Sequence, residues 1–256
     1  MLIKKGDYVS RNSYNNDTIF KVINIEDNNY YLKGVEERLV ADSPFDDLKK
    51  EKYRINDSLD TEILETFLNR GEYFYLPPKI LHIDGDEEYL ERCLKFYKKN
   101  GILAIGKKIN EKNIAEQIYG LLKKINPDIV IITGHDAYYR KKNDINNIEN
   151  YKNSLNFVNA IKVARSYEKS HEKLVIIAGA CQSDYEELIK AGANFASSPK
   201  RVNIHALDPA IIATTIALTE KGQEINLIDL LNKTKYKEEG MGGIKCNGLM
   251  YVGYPR

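Results

Sequence analysis

The chain has 256 residues, with 38 basic and 37 acidic side chains and a formal net charge of +1, so no global field favours nucleic acid or an anionic membrane surface. Three cysteines, Cys93, Cys181 and Cys246, are too few and too scattered for a disulfide framework, and no Cys/His pair has zinc-ligand spacing. Residues 1–7 lack a signal-peptide core and no stretch approaches the roughly 20 apolar residues of a membrane span, so a soluble protein of a reducing compartment, without metal or cofactor, is expected.

Residues 1–47 read as short strands and turns that suggest a small SH3-like β-barrel. Residues 19–25 alternate with period two, Asp27-Asn28-Asn29 supplies turn chemistry, and strand-like runs follow at 30–34 and 38–41. Six basic and nine acidic side chains in this segment argue against nucleic acid and for a docking module or a lid. Residues 48–76 read as a charged connector with a short helix over 59–69. Pro77-Pro78 then opens the main domain, residues 77–256.

From Lys79 onward, strands and helices alternate. The first strand, 80–83, ends at Asp84-Gly85-Asp86, and the next helix aligns Leu90, Cys93, Leu94 and Tyr97 before stopping at Asn100-Gly101. A second strand is read at 102–105, followed by a helix with Ile114, Ile118, Leu121, Leu122 and Ile125 on one face. The third strand, 129–134, ends on His135. A polar stretch, 136–153, precedes a helix starting at Ser154 with Leu155, Val158, Ile161 and Ala164 in a stripe. The fourth strand, 174–180, ends on Cys181, and the capping-box pattern Ser183-Asp184-Tyr185-Glu186 opens a helix that stops at Ala191-Gly192. A fifth strand is expected near 194–197, then a helix from Asp208-Pro209 to Leu218 with Asp208 as N-cap. Continuous apolar strands between amphipathic helices predict an α/β fold with a mostly parallel sheet covered on both faces. Ligands bind such sheets at the carboxyl ends of the strands.

Asp84, His135 and Cys181 all fall at those ends. A cysteine between a strand and a helix N-terminus is well situated to act as thiolate, because the helix dipole favours the anion. The separation 181 − 135 = 46 residues spans one loop, one helix and one strand. A right-handed crossover would put the two strands side by side, with ends about 5 Å apart. We read His135 and Cys181 as a catalytic dyad. Cys181 attacks a carbonyl, and His135 protonates the leaving group and then activates water. The amide N–H of Cys181 and one from Gly134 or Asp136 form the oxyanion hole.

A separation of roughly 50 residues from a histidine to a Q-A-C-type cysteine is a caspase spacing. The blocks ending in Gly134-His135 and Gly179-Ala180-Cys181 resemble the caspase-type (clan CD) cysteine peptidases, with Asp136 where those enzymes have glycine. Longer segments resemble the YabG family of sporulation-specific proteases: residues 132–138, 178–183, 191–199 and 201–209, with 6–9 and 81–86 also fitting. That resemblance implies a caspase-like peptidase domain and a cysteine endopeptidase of the mother-cell cytoplasm, associated with the spore coat. Its implied substrates are spore coat and cortex-related proteins, cleaved near basic residues, with self-processing. An arginine or lysine side chain would need an acidic pocket, for which Asp84 and Asp86, then Asp184 and Asp136, are candidates. Gln182 follows the nucleophile and His205, after the strand-like Val202-Asn203-Ile204, is read as bordering the cleft, so both are counted as substrate-binding candidates.

Two other readings stand beside this one. Gly179-Ala180-Cys181-Gln182-Ser183 can be read as the nucleophile elbow of an α/β-hydrolase or amidotransferase-like enzyme, with His205 as the base 205 − 181 = 24 residues later. The chain can also be an inactive coat-assembly scaffold. Among the remaining residues, Cys93 and His82 read as core, His171 as exposed and Cys246 as a loop thiol among turn-forming glycines. The basic run 49–54 reads as connector, with Arg54 a candidate self-cleavage site.

Overall fold

Short alternating segments and tight Asx turns give the first part of the chain an antiparallel sheet. The computed structural model describes residues 2–53, 74–139 and 144–253, in two units divided between Leu59 and Asp60. The expected helix over 59–69 and Arg54 lie outside the described residues. In the first unit, β1 (Tyr8–Arg11), β2 (Phe20–Glu26), β3 (Asn29–Gly34), β4 (Val40–Pro44) and β5 (Leu48–Lys50) form one sheet in the order β4-β3-β2-β1-β5. Asp27 and Asn28 turn the β2–β3 hairpin with φ of 47° and 68°, which their short polar side chains tolerate. Val9, Phe20, Val22 and Leu32 are buried beneath the sheet.

Two expectations need correction here. Among the described residues β4 and β5 pair only inward, so the sheet is open and no closed barrel forms. Residues 48–50 are not connector but an edge strand, pairing Arg11 with Leu48 and Val9 with Lys50. Lysines on an edge strand discourage further pairing, and the same charge made the segment look like linker.

In the second unit, β7 (Ile80–Asp84), β8 (Ala104–Lys108), β9 (Ile129–Thr133), β10 (Val175–Ala178), β11 (Phe195–Ser197) and β12 (Met241–Gly243) form a six-stranded sheet in the order β12-β11-β10-β9-β7-β8. The first five are parallel and β12 is antiparallel to β11. A separate two-stranded sheet pairs β6 (Phe74–Leu76) with β13 (Tyr251–Gly253). Every residue of β7, β9 and β10 is buried, as two-sided cover requires. Leu81, Ile83, Val130, Ile132 and Ile176 face α2 (Ile114–Ile125) and α3 (Ser154–Tyr167) in one core. On the opposite face, α1 (Glu87–Lys99) packs on β7 and β8, and α5 (Asp208–Leu218) on β9 and β10. All of α5 is buried. The helices α4 (Tyr185–Lys190), α6 (Leu227–Asn232) and α7 (Lys237–Gly240) complete the unit.

The second strand starts at Ala104 rather than Ile102, where pairing with Ile80 begins, and Gly106 within it lies under Leu94 of α1, where a Cβ would come within 2.6 Å of Leu94 Cδ1. Leu103 is 63% exposed. The glycines after Met241 build the edge strand rather than turns: a Cβ on Gly243 would lie 2.5 Å from the Asn194 carbonyl oxygen. Asp208 is the first residue of α5 rather than its cap, and its carboxylate accepts the His205 and Lys235 N–H groups.

In α3, Phe157 is fully buried while Leu155, expected in the apolar stripe, is 47% exposed. Phe157→Ala is therefore expected to destabilise the protein by about 3–5 kcal/mol and Leu155→Ala by less than about 0.5 kcal/mol. Urea denaturation followed by circular dichroism distinguishes these values; equal losses would contradict the packing.

Candidate active site

The carboxyl ends of β7, β9 and β10 lie side by side because the register runs straight across them. Ile80 pairs with Ile129, and Ile129 with Val175. The β9–β10 pairing keeps an offset of 175 − 129 = 46 through Ile132 and Ala178. His135 and Cys181 share that offset, so both leave the sheet at one level. The crevice between β7 and β9 is also where the strand order reverses, the usual binding position in open parallel sheets.

His135 is held on several sides. Its Nε2 lies 3.1 Å from Asp86 Oδ2, and its ring meets Tyr89 edge-on at 5.8 Å. Its N–H donates to Glu111 Oε1 at 2.8 Å, and its carbonyl accepts from Asn153 Nδ2 at 2.8 Å. Since the Asp86 oxygen can only accept, Nε2 carries the proton and the Nδ1 lone pair is left as the basic position. Nδ1 is buried and has no hydrogen-bond partner among the described residues. An orphaned imidazole nitrogen of this kind is uncommon in a satisfied interior.

Cys181 follows a turn that glycine makes possible: Gly179 has φ +108°, and a Cβ there would meet Leu188 and Ser197. The Cys181 sulfur is fully buried. It accepts the Ile204 N–H at 3.2 Å and donates to the Ile204 carbonyl at 3.7 Å. The structure thus brings the two residues to adjacent strand ends, but no hydrogen bond joins Nδ1 to the sulfur.

Asp136 ties the two loops together. Oδ1 accepts the N–H groups of Ala137 and Asn153, and Oδ2 accepts the hydroxyls of Ser154 and Ser183. Each hydroxyl in turn accepts an amide flanking the cysteine: Ser183 from Ala180 at 2.9 Å, Ser154 from Asp184 at 2.8 Å. Burial pushes the Asp136 carboxyl up from its ordinary range, against the pull of these bonds. The expected capping box is displaced by one residue, because Ser183 serves this clamp and Asp184 caps α4 through the Glu187 N–H.

The acidic candidates for a substrate pocket are mostly engaged internally. Asp84 is fully buried, accepting the Asp86 N–H and the Thr133 hydroxyl, while His82 joins Thr133 and Tyr97 beside it. A side chain so enclosed does not line a pocket. The Asp136 carboxylate is likewise a strut, and Asp86 caps α1 and holds His135. Asp184 remains: Oδ1 meets Arg201 Nη2 at 3.3 Å, whereas Oδ2 is buried without a partner among the described residues. Burial also raises its carboxyl. Gln182 spans the loops through long contacts of 3.4 Å to the Tyr138 N–H and to Asn203 Oδ1. His205 is buried and its Nδ1 lone pair accepts the Leu207 N–H, so it is not poised as a base.

Cys93 is core, its sulfur on the Ala206 carbonyl. His171 is half-buried rather than exposed. Among the described residues no group of three His, Cys, Asp or Glu side chains is arranged to hold a metal, and no helix is long and apolar enough to cross a membrane. Sequence reasoning missed Glu111, whose carboxylate sits between Gly85 and Gly134 where either Cβ would collide with it. The small residues at both strand ends were the available signal.

The sequence model of a family described as YabG peptidase U57 matches residues 4–70 and 60–255. The chain is also 42% identical, over 286 aligned positions, to the "Sporulation-specific protease YabG" of Bacillus subtilis (strain 168), covering 100% of this chain and 99% of that protein.

Two outcomes follow from the geometry. Asp136→Ala strands two hydroxyls and two amides, and is expected to cost about 3 kcal/mol or more in chemical denaturation; a loss under about 1 kcal/mol would show that the clamp is not needed. Burial pushes the Cys246 thiol up to about 11, so at pH 8 only about one molecule in a thousand carries that thiolate. Iodoacetamide labelling of Cys246 should be slow there and rise about tenfold per pH unit up to pH 10, read by peptide mass spectrometry; fast labelling at pH 7 would contradict it.

Proposed function

The chain belongs to the YabG peptidase family, and we propose that it is a cysteine endopeptidase working through a His135/Cys181 dyad. One observation carries the reading: an imidazole held by Asp86, with its Nδ1 unpartnered among the described residues, shares the 46-residue strand offset with a cysteine on the neighbouring loop. Parallel strands with one antiparallel edge, and the dyad beyond β9 and β10, the third and fourth strands of the six-stranded sheet in chain order, support a caspase-like arrangement.

In this reading the sulfur first leaves Ile204 and passes its proton to Nδ1 of His135. The thiolate adds to the scissile carbonyl carbon, and the oxyanion is met by the Cys181 amide and by that of Gly134 or Asp136. The His135 amide is taken by Glu111, so it is left out of that role. The imidazolium returns its proton to the leaving amine, which departs as a thioester forms. Water then attacks the thioester, losing a proton to Nδ1 and releasing the acid and the thiol. Asp86 keeps the ring in the Nε2–H tautomer and steadies its charged form.

The substrates in this reading are coat and cortex-related proteins of the forming spore, cut after arginine or lysine in the mother-cell cytoplasm, with self-processing. The name of the Bacillus subtilis relative supports the sporulation context. The pairing of Arg201 with Asp184 and Glu186 supports an anionic pocket beside the nucleophile loop. The amino-terminal open sheet serves as a docking module.

The test uses a recombinant coat protein and a peptide with one internal arginine. Cys181→Ala and His135→Ala should each lower turnover at least about 1000-fold, and Asp86→Asn should lower kcat by about 10- to 1000-fold with KM nearly unchanged. An arginyl chloromethyl ketone should leave its adduct on Cys181. Turnover by Cys181→Ala, or an adduct on another residue, would overturn the assignment.

A further inference from the structure

We propose that Tyr151, Asp184 and Glu186 form a guanidinium-binding site, filled in the resting protein by the chain's own Arg201, and that its occupancy governs access to Cys181. The proposal rests on the reading of Cys181 as nucleophile. The site itself is read from geometry. Arg201 Nη2 donates to Glu186 Oε2 at 2.5 Å and to Asp184 Oδ1 at 3.3 Å, Nε donates to the Tyr151 hydroxyl at 2.7 Å, and Nη1 donates to the Ser198 carbonyl. The guanidinium lies 5.5 Å from the centre of the Tyr151 ring. Two of the walls come from the loops that carry the dyad: Tyr151 from the segment after His135, Asp184 and Glu186 from the segment after Cys181.

The occupant fits its site incompletely. Arg201 reaches only one Asp184 oxygen, and at long range, although the Asp184 side chain is 3% exposed. The Asp184 Oδ2 is left buried and without a partner among the described residues. A guanidinium free of a backbone tether can present its fork to both oxygens, the geometry in which arginine and carboxylate pair best. Arg201 is tethered through a backbone with φ of 56°, and Ser198 with φ of 70°. Side chains other than glycine enter that region reluctantly and stay there when surrounding contacts hold them.

The tether is what links the site to the nucleophile. Three residues beyond Arg201, Ile204 covers the Cys181 sulfur through both its N–H and its carbonyl, while the Val202 carbonyl accepts the Gln182 N–H. Any group that reaches the sulfur must move Ile204 aside. Shifting that segment draws Arg201 out and leaves two carboxylates, one of them buried, without a cation. A buried charge stripped of its partner is strongly unfavourable. An external guanidinium that refills the site therefore favours the open segment, and the two events are thermodynamically linked.

The test measures access rather than turnover. Iodoacetamide labelling of Cys181 in the full chain is followed by mass spectrometry, with core Cys93 as internal control. Arg201→Ala should raise the Cys181 rate at least tenfold with Cys93 unchanged, and Glu186→Gln, at a side chain 54% exposed, at least threefold. Agmatine at millimolar concentration should raise the Tm of Arg201→Ala saturably, against potassium chloride of equal ionic strength. It should leave Arg201→Ala/Asp184→Asn unmoved. Cys181 rates within twofold of the unmodified protein, Cys93 labelling that rises in step with Cys181, or no saturable agmatine response would each overturn the site. Should Arg201→Ala fail to fold, the Glu186→Gln rate decides. Peptidase activity retained by Cys181→Ala would instead sink the nucleophile reading while leaving the guanidinium site standing.

Discussion

The Asp136 carboxylate is the point at which the two loops of the site become one structure. The β9–β10 pairing stops at Ile132 and Ala178, so beyond those residues no strand pairing fixes one loop against the other. Two serine hydroxyls take over, each donating to Asp136 and accepting an amide beside Cys181. A hydroxyl is suited to this because it gives and receives at once. The carboxylate accepts from four groups, which offsets much of its desolvation, and the network keeps its geometry only while every member is satisfied.

The sheet divides its two faces between packing and polarity. Leu81, Ile83, Val130, Ile132 and Ile176 make an apolar layer against α2 and α3, whereas the alternate residues of β7 and β9 include His82, Asp84 and Thr133, a buried polar chain beneath the crevice. Asp86 extends it to His135. The imidazole thus rests on a ladder of hydrogen bonds that begins inside the core. The amino-terminal cap of α1 is part of that ladder, because one carboxylate both caps the helix and holds the ring.

Much of this was legible because continuous apolar runs leave little ambiguity. The runs at 80–83, 129–133 and 174–178 became adjacent parallel strands, and the 46-residue spacing became a register. The resemblance to the YabG family was correct in its recognition. What could not be read were single polar residues whose partners lie far off in sequence. Ser154, Ser183, Asn153 and Glu111 look like caps or surface positions until the loops meet. Asp86 was assigned to substrate because its position at a strand end is equally compatible with either role. The strand at 241–243 escaped notice since Gly242 and Gly243 carry no side chain to show an alternation, and glycine there answers to a close backbone approach.

The pairing of Phe74–Leu76 with Tyr251–Gly253 brings the first and last described strands of the larger unit together. A backbone cut between Lys50 and Phe74 would therefore part the five-stranded sheet from the rest of the chain, while the six strands of the larger sheet and the β6–β13 closure would stay on one covalent segment.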